Sequence, residues 1–257
     1  MAVEASVNAP RESELQADSV WQLEFARLIA FPARSPSSIQ QKWWQEVASD
    51  QPADFVPTRR TNFQDDRGTF QETLLALTVD LSRIVWKARS PRVVDRSGYF
   101  PTLGPFPEKL RWFEQLLSPW LTHSCPPVVR LAFSAKLLQL APNADEAYGV
   151  IQKHLPTLVN LDSRPNDFVL QINRRKAASD VVDGLPINRV STWSKMNLAV
   201  LIEPGRPFRW PDRCYSALEL DINTAPEKME VLPSALLARL FSELVSLGRD
   251  IAEHGVS

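Results

Sequence analysis

Glycine is scarce in this chain of 257 residues: there are eight, against 21 prolines. Few glycines means few positions that take a positive φ without steric cost. Phosphate-cradling loops and tight primed hairpins both draw on such positions. Gly98 and Gly104 are the closest pair within one loop, and no Lys-Ser or Lys-Thr follows them. No Gly-x-Gly-x-x-Gly occurs, and no serine stands in a Gly-x-Ser-x-Gly elbow. His123, His154 and His254 are the three histidines, and no two are close in sequence. His123 and Cys125 form "HSC", but no second pair follows at the spacing of a structural zinc site. Two cysteines, Cys125 and Cys214, make no disulfide framework. No run of about 18 apolar residues exists to span a membrane. The first residues, "MAVEASVNAPRESELQADS", contain no apolar stretch of the signal-peptide kind. These absences lead to the expectation of a cytoplasmic protein with no metal, no cofactor, no membrane contact and no identifiable catalytic residue.

The rest of the composition is that of an ordinary globular protein, 44% hydrophobic and 23% charged. The net charge of −1 gives the whole molecule no strong field towards nucleic acid or an acidic surface, so only a local patch could supply one.

Residues 1–18 are small and polar without periodicity and read as a disordered tail. "VWQLEFARLIA" (20–30) is then echoed by "VVRLAFSAKLL" (128–138), with V, L and F in common at an offset of 108. The second copy alternates strictly, which is a half-buried strand. The first has Trp21, Leu23, Phe25, Ile29 and Phe31 on one face, with Arg27 breaking the row. A helix follows each. Ser35 before Pro36 is a cap pattern leading to Ile39, Trp43 and Val47. Asn143 leads to Ala147, Ile151 and Leu155, at the same offset.

Residues 69–90 read as a hairpin turning at Asp80. Residues 167–176, 188–202 and 214–222 read as three strands. Helices over 107–121 and 233–254 close the two halves, the latter opened by Pro233 and ended by Gly255. Hairpin-linked strands with interspersed helices predict an α+β fold, an antiparallel sheet covered by helices. The expected organisation is a first half over 19–124 and a second over 125–257, two repeats of strand–helix–hairpin–helix sharing one pseudo-symmetric domain or forming two.

Candidate chemistry is thin. Asp65–Asp66 sits in "NFQDDRGTF", where Gly68 suggests a loop. Glu219 and Asp221 share one face of "ALELDIN", either as an acid–base pair or as the solvent side of a strand. Charge is polarised along the second half. Between Arg164 and Arg213 there are nine basic and five acidic residues, and from Cys214 onward three basic and seven acidic. The basic run, with Arg174, Arg175 and Lys176 on one predicted strand, could meet nucleic acid or the acidic C-terminal helix of the same molecule. "EPGRPFRWPDR" (203–213) interleaves Arg206, Arg209 and Arg213 with Phe208 and Trp210 on a proline-stiffened backbone, a composition typical of interface hot spots. Trp44 is the other candidate contact. Neighbours on a helix lie about 100° apart, so Trp43 and Trp44 are not expected to share the centre of a buried face.

"LTVDLSRIVWKARS", "FEQLLSPWL", "PPVVRLAFSAKLL" and "LELDINTAP" before a last amphipathic helix together resemble a sporadically distributed family of uncharacterised bacterial proteins of about this length, over roughly residues 20–254. The resemblance carries over no catalytic residue. It implies an accessory role, such as phage defence or work beside another gene product. The functional expectation is a non-enzymatic protein–protein interaction module, a subunit or accessory factor of a multi-component bacterial system, with another protein or a second copy as partner. The alternatives are a nucleic-acid binder acting through its second half and an enzyme with a carboxylate site.

Overall fold

β1 (Gln22–Pro32) lies near the middle of a nine-stranded antiparallel sheet and sets which side chains face which way. The computed structural model describes residues 20–36, 42–49, 52, 54–92, 99–158, 165, 167–203 and 206–255, with the side chains of 198–213 excepted. The expected tail at 1–18 and Ile39 lie outside the described residues.

After β1 come α1 (Trp43–Ala48), β2 (Val56–Arg60), β3 (Phe63–Phe70), β4 (Thr73–Val79), β5 (Ile84–Arg89) and α2 (Phe106–His123). Then follow β6 (Val128–Ala141), α3 (Ala144–His154), β7 (Val169–Asn173), β8 (Ile187–Glu203), β9 (Arg206–Thr224), a 3-10 turn at Ser234–Leu236 and α4 (Leu237–His254). Strand order is β2-β3-β4-β5-β1-β6-β9-β8-β7. Both halves of the chain therefore enter one sheet, joined at the antiparallel β1–β6 pair, and the α+β class follows directly.

The helices cover one face. Leu131, Phe133, Ala135 and Leu137 of β6, together with Leu218, Leu220 and Ile222 of β9, point into them and are buried. Phe241 of α4 stacks edge-on against both Phe133 and Phe113 of α2, with ring centroids 6.3 Å apart in each case. Trp120 of α2 packs edge-on against Trp86 and Trp43, each at 5.7 Å. Buried aromatics of this size each remove roughly 150–250 Å² from water, so this Trp/Phe layer is the main stabilising block of the core. α3 begins where its sequence says it should, the Asn143 side chain accepting from the Glu146 N–H at 3.0 Å.

Two expectations fail in the first half. The stretch "NFQDDRGTF" is strand β3 and not a loop, paired with both β2 and β4. Among the described residues the first half thus contributes five strands and the second four, where the sequence predicts three and four. The first helix is also shorter than the repeat predicts: it starts at Trp43, and the Ser35 hydroxyl donates to the Leu81 carbonyl instead of heading a helix.

The third correction concerns β1 itself. A register shift between Leu23 and Phe25 bulges the strand against β6. Leu23 stays on the covered face, and after the bulge Ala26, Leu28 and Ala30 take it over. Phe25, Arg27, Ile29 and Phe31 therefore line the bare face. Arg27 does not interrupt an apolar row; it belongs to the solvent row. Phe25 and Phe133, aligned by the 108-residue echo, end on opposite faces.

Two glycines make opposite demands. A Cβ on Gly248 of α4 would lie 2.8 Å from the Phe133 ring, so glycine is what lets α4 seat on β6. A Cβ on Gly149, midway along α3, would touch nothing within 4 Å. Gly248→Ala is expected to destabilise by about 1–3 kcal/mol and Gly149→Ala to stabilise by about 0.5–1 kcal/mol, both read from urea unfolding midpoints.

Candidate functional site

Cation placement on the bare face is the feature that the fold alone does not require. In the register of β1 with β5, Arg27 stands directly opposite Lys87 and Phe25 opposite Arg89. Like charges directly opposed across two strands destabilise a sheet. Continuing outward, Lys87 is opposite Ala76 of β4, and Ala76 is opposite Arg67 of β3. One transverse row therefore reads Arg67, Ala76, Lys87, Arg27, Ser134, with strands about 4.8 Å apart. A shallow concavity of about 350 Å³ lies over this part of the sheet, lined by the apolar Ile29, Ala76 and Val85, by the cations Arg27, Lys87 and Arg89, and on its far side by Thr78 and the Arg67–Asp65 pair.

The cations of this face divide into two groups. Arg67 is paired with Asp65, Arg83 with Asp80, and Lys136 with Glu24 at 3.1 Å. Arg27, Lys87 and Arg89 form no ion pair among the described residues. Arg27 donates through Nη2 to Ser134 Oγ at 3.0 Å, while its buried Nε has no partner. Arg27 and Lys87 both stand over the Phe25 ring, at 4.9 and 4.7 Å, and Arg130 stands over Phe31 at 4.9 Å. Burial, then repulsion from Arg27 and Arg89, hold the Lys87 ammonium below the usual lysine range, and Glu24 only partly offsets this.

Part of the second-half basic run is paired within the molecule. Arg175 pairs with Glu227 at 2.6 Å, and Arg189 with Asp250 of α4 at 3.0 Å. Lys176 pairs with Glu243 of α4 at 2.8 Å and with Asp180 at 2.6 Å. Glu243 also accepts from Ser179 and from the Asp180 N–H. Arg175 and Lys176, two of the three cations offered either to nucleic acid or to the acidic C-terminal helix, therefore clamp the chain after β7 to the segment after β9 and to α4. For the third, Arg174, a backbone N–H donated to the Arg189 carbonyl anchors the residue.

The expected 203–213 loop is not a loop. β8 and β9 run through it as a hairpin, with Glu203 opposite Arg206, Val200 opposite Phe208 and Ala199 opposite Arg209. The side chains of Arg206, Phe208, Arg209, Trp210 and Arg213 lie outside the described residues. Trp44 is not a surface contact. It is fully buried, packed 4.8 Å from the Phe55 ring, with Nε1 donating to the Leu75 carbonyl. α1 is wedged between the sheet and α2, so both of its tryptophans find cover.

The carboxylates do not gather. Asp65 and Asp66 point to opposite faces, held by Arg67 and Arg59 respectively. Glu219 and Asp221 are exposed on the bare face of β9, five strand spacings or about 24 Å from β3. Burial pushes the Cys125 thiol up to about 12 and raises that of Cys214, the opposite of what a nucleophile needs. His154 is packed between Trp21 and Trp193. A second, larger concavity of about 550 Å³ opens beside the Gln71–Glu72 turn, with Arg92 and Lys109 on its wall, but it adjoins residues 93–98, which lie outside the described residues. No protein-family model matches the chain, and a search of the curated proteins finds no match either.

The clamp carries its own pH signature. Burial would raise the Glu243 pKa, but hydrogen bonds from Lys176, Ser179 and the Asp180 N–H outweigh it and hold the carboxyl below the usual range. A carboxyl depressed on folding adds stability that is present above about pH 4.3, its unfolded value, and lost as pH falls through the folded value. Glu243→Gln is expected to lower stability by about 1–3 kcal/mol at pH 7. The gap from the unsubstituted protein should narrow below about pH 4, measured by unfolding across pH.

Proposed function

We propose that the chain is a non-enzymatic binding protein whose working surface is the basic part of the bare sheet face, centred on Arg27, Lys87 and Arg89, and whose partner is anionic. The observation that carries this reading is the opposition of Arg27 and Lys87 across β1 and β5 with no carboxylate between them. A protein selected for stability alone gains nothing from two like charges facing each other on a half-buried surface. A ligand that brings the missing negative charge relieves the repulsion on binding. The surrounding cations that do have carboxylates show what a merely structural solution looks like on this same face.

The expected accessory role in the cytoplasm, as a subunit or helper in a multi-component bacterial system with phage defence among its settings, is compatible with such a surface and is carried with the proposal. So is the duplication. In the sheet, β3-β4-β5-β1 and β6-β9-β8-β7 are ordered as mirror images about the β1–β6 seam, and α2 and α4, which close the halves, pack on each other. Both features support descent of the halves from one unit, with the bare face of the first half having taken up the cations.

A second copy of the chain is a further anionic partner that one observation favours. Glu219 and Asp221 stand exposed on the same face, across the seam from the cations.

The test is the sign of two effects in one variant. Lys87→Met should raise the melting temperature, because it removes a repelled, partly buried charge, and should elute from immobilised heparin at lower salt than the unsubstituted protein. Unchanged elution would sink the reading. Light scattering of the same pair separates the second copy from other partners: a concentration-dependent dimer lost in Lys87→Met would identify it.

A further inference from the structure

Resting on the anionic-partner reading, we propose that the ligand of this face is single-stranded nucleic acid, with backbone phosphates at Arg27, Lys87 and Arg89 and bases laid along Phe25 and Phe31.

Three observations narrow the anion to this class. First, the cations are interleaved with rings on one surface: Arg27 and Lys87 lie over Phe25, and Arg130 over Phe31. An acidic polypeptide requires only the charges, whereas a nucleotide chain offers a phosphate for each cation and a flat base for each ring or guanidinium plane. Second, the concavity sets the apolar Ile29, Ala76 and Val85 beside the cations Arg27, Lys87 and Arg89, unpaired among the described residues, its one carboxylate, Asp65, being taken up by Arg67. Apolar and cationic groups side by side suit a base lying flat with its phosphate at the edge. Third, past the seam the same face carries Thr192 and Asn188 beside the exposed carboxylates Glu219 and Asp221, which confine the phosphates to the cations of the first half. Hydroxyl and amide side chains can bond base edges. The surface is a broad sheet, which fits splayed single-stranded bases; the major groove of a duplex admits only a helix or a two-stranded ribbon.

The probe is a 5′-labelled single-stranded oligothymidylate of 20 nucleotides, with the full chain, read by fluorescence anisotropy across salt. Three phosphate contacts give a slope of log affinity on log salt of about −2. Lys87→Gln combined with Arg89→Gln removes two, so the slope should fall to about −0.7 and low-salt affinity by about tenfold or more. Phe25→Leu keeps the apolar volume and removes the stacking ring. It should weaken the oligonucleotide by about fivefold or more and shift elution from heparin, which offers no base to stack, by much less.

Retention on heparin with no oligonucleotide binding would overturn this inference and leave the anionic-surface reading standing. Failure to bind either would overturn both. Poly-L-glutamate binding as tightly as the oligonucleotide would replace nucleic acid by an acidic polypeptide, and equal affinity for a 20-base-pair duplex would overturn the single-stranded assignment. Oligonucleotide binding that the Lys87/Arg89 double variant does not weaken would displace the site from this face.

Discussion

The register of β1 is the constraint on which the rest of the structure depends. β1 is hydrogen-bonded on both sides, to β5 and to β6, and it links the two halves of the sheet. A sheet has a period of two, so a shift of one residue exchanges the faces of every side chain beyond it. The bulge at Glu24 performs that exchange within a single strand. Before it, Trp21 and Leu23 serve the core; after it, Ala26, Leu28 and Ala30 do, and Phe25, Arg27, Ile29 and Phe31 are presented to solvent. With a straight β1, Arg27 would be directed at the helices and the cation row would not exist.

Cations on this protein meet one of two fates, carboxylate pairing or mutual repulsion, and among the described residues only the bare face holds the second. On the covered side, cations are bound to the C-terminal region: Arg189 to Asp250 and Lys176 to Glu243, where three donors converge on one carboxylate. On the bare side, Arg27, Lys87 and Arg89 are drawn together by strand pairing and left in mutual repulsion. The net charge of the chain is close to zero, so the field of this patch is local, acting over about a Debye length and weakening with salt.

Much of the architecture was legible in the sequence. The alternation of β6, the Asp80 hairpin, the Asn143 cap and the apolar stripe of α4 each rest on a local pattern with a local physical cause, and each stands where that pattern puts it. β3 was not legible, because its helix-facing residues Gln64, Asp66 and Gly68 are polar or small. Asp66 is buried because Arg59 reaches it from β2 and the Gln64 amide donates to it from its own strand. Trp44 misled because its cover comes from Phe55 and Leu75, on either side of the β2–β3 hairpin in the chain. The candidate site was illegible for a related reason. Summing charge along the chain found the basic run after Arg164, but the cations that meet on the bare face are Lys87 and Arg89 of β5 and Arg27, some sixty residues earlier in sequence and adjacent to them only through pairing. The one available signal was Arg27, whose apparent misplacement in an apolar row marked the bulge.

The β1–β6 seam also orders events in time. During synthesis β1 is made first, yet its partner on one side is completed only after residue 141, and β6 in turn waits for β9, which ends at Thr224. Until then the most central strand of the finished sheet is an open edge, carrying unpaired amides and apolar side chains that invite association with other chains. Long-range pairings of this kind also fold slowly. Arg27 is the one cation of that strand, and a charged side chain on an open strand disfavours edge-to-edge association, so the same arginine that strains the native sheet guards its most exposed intermediate.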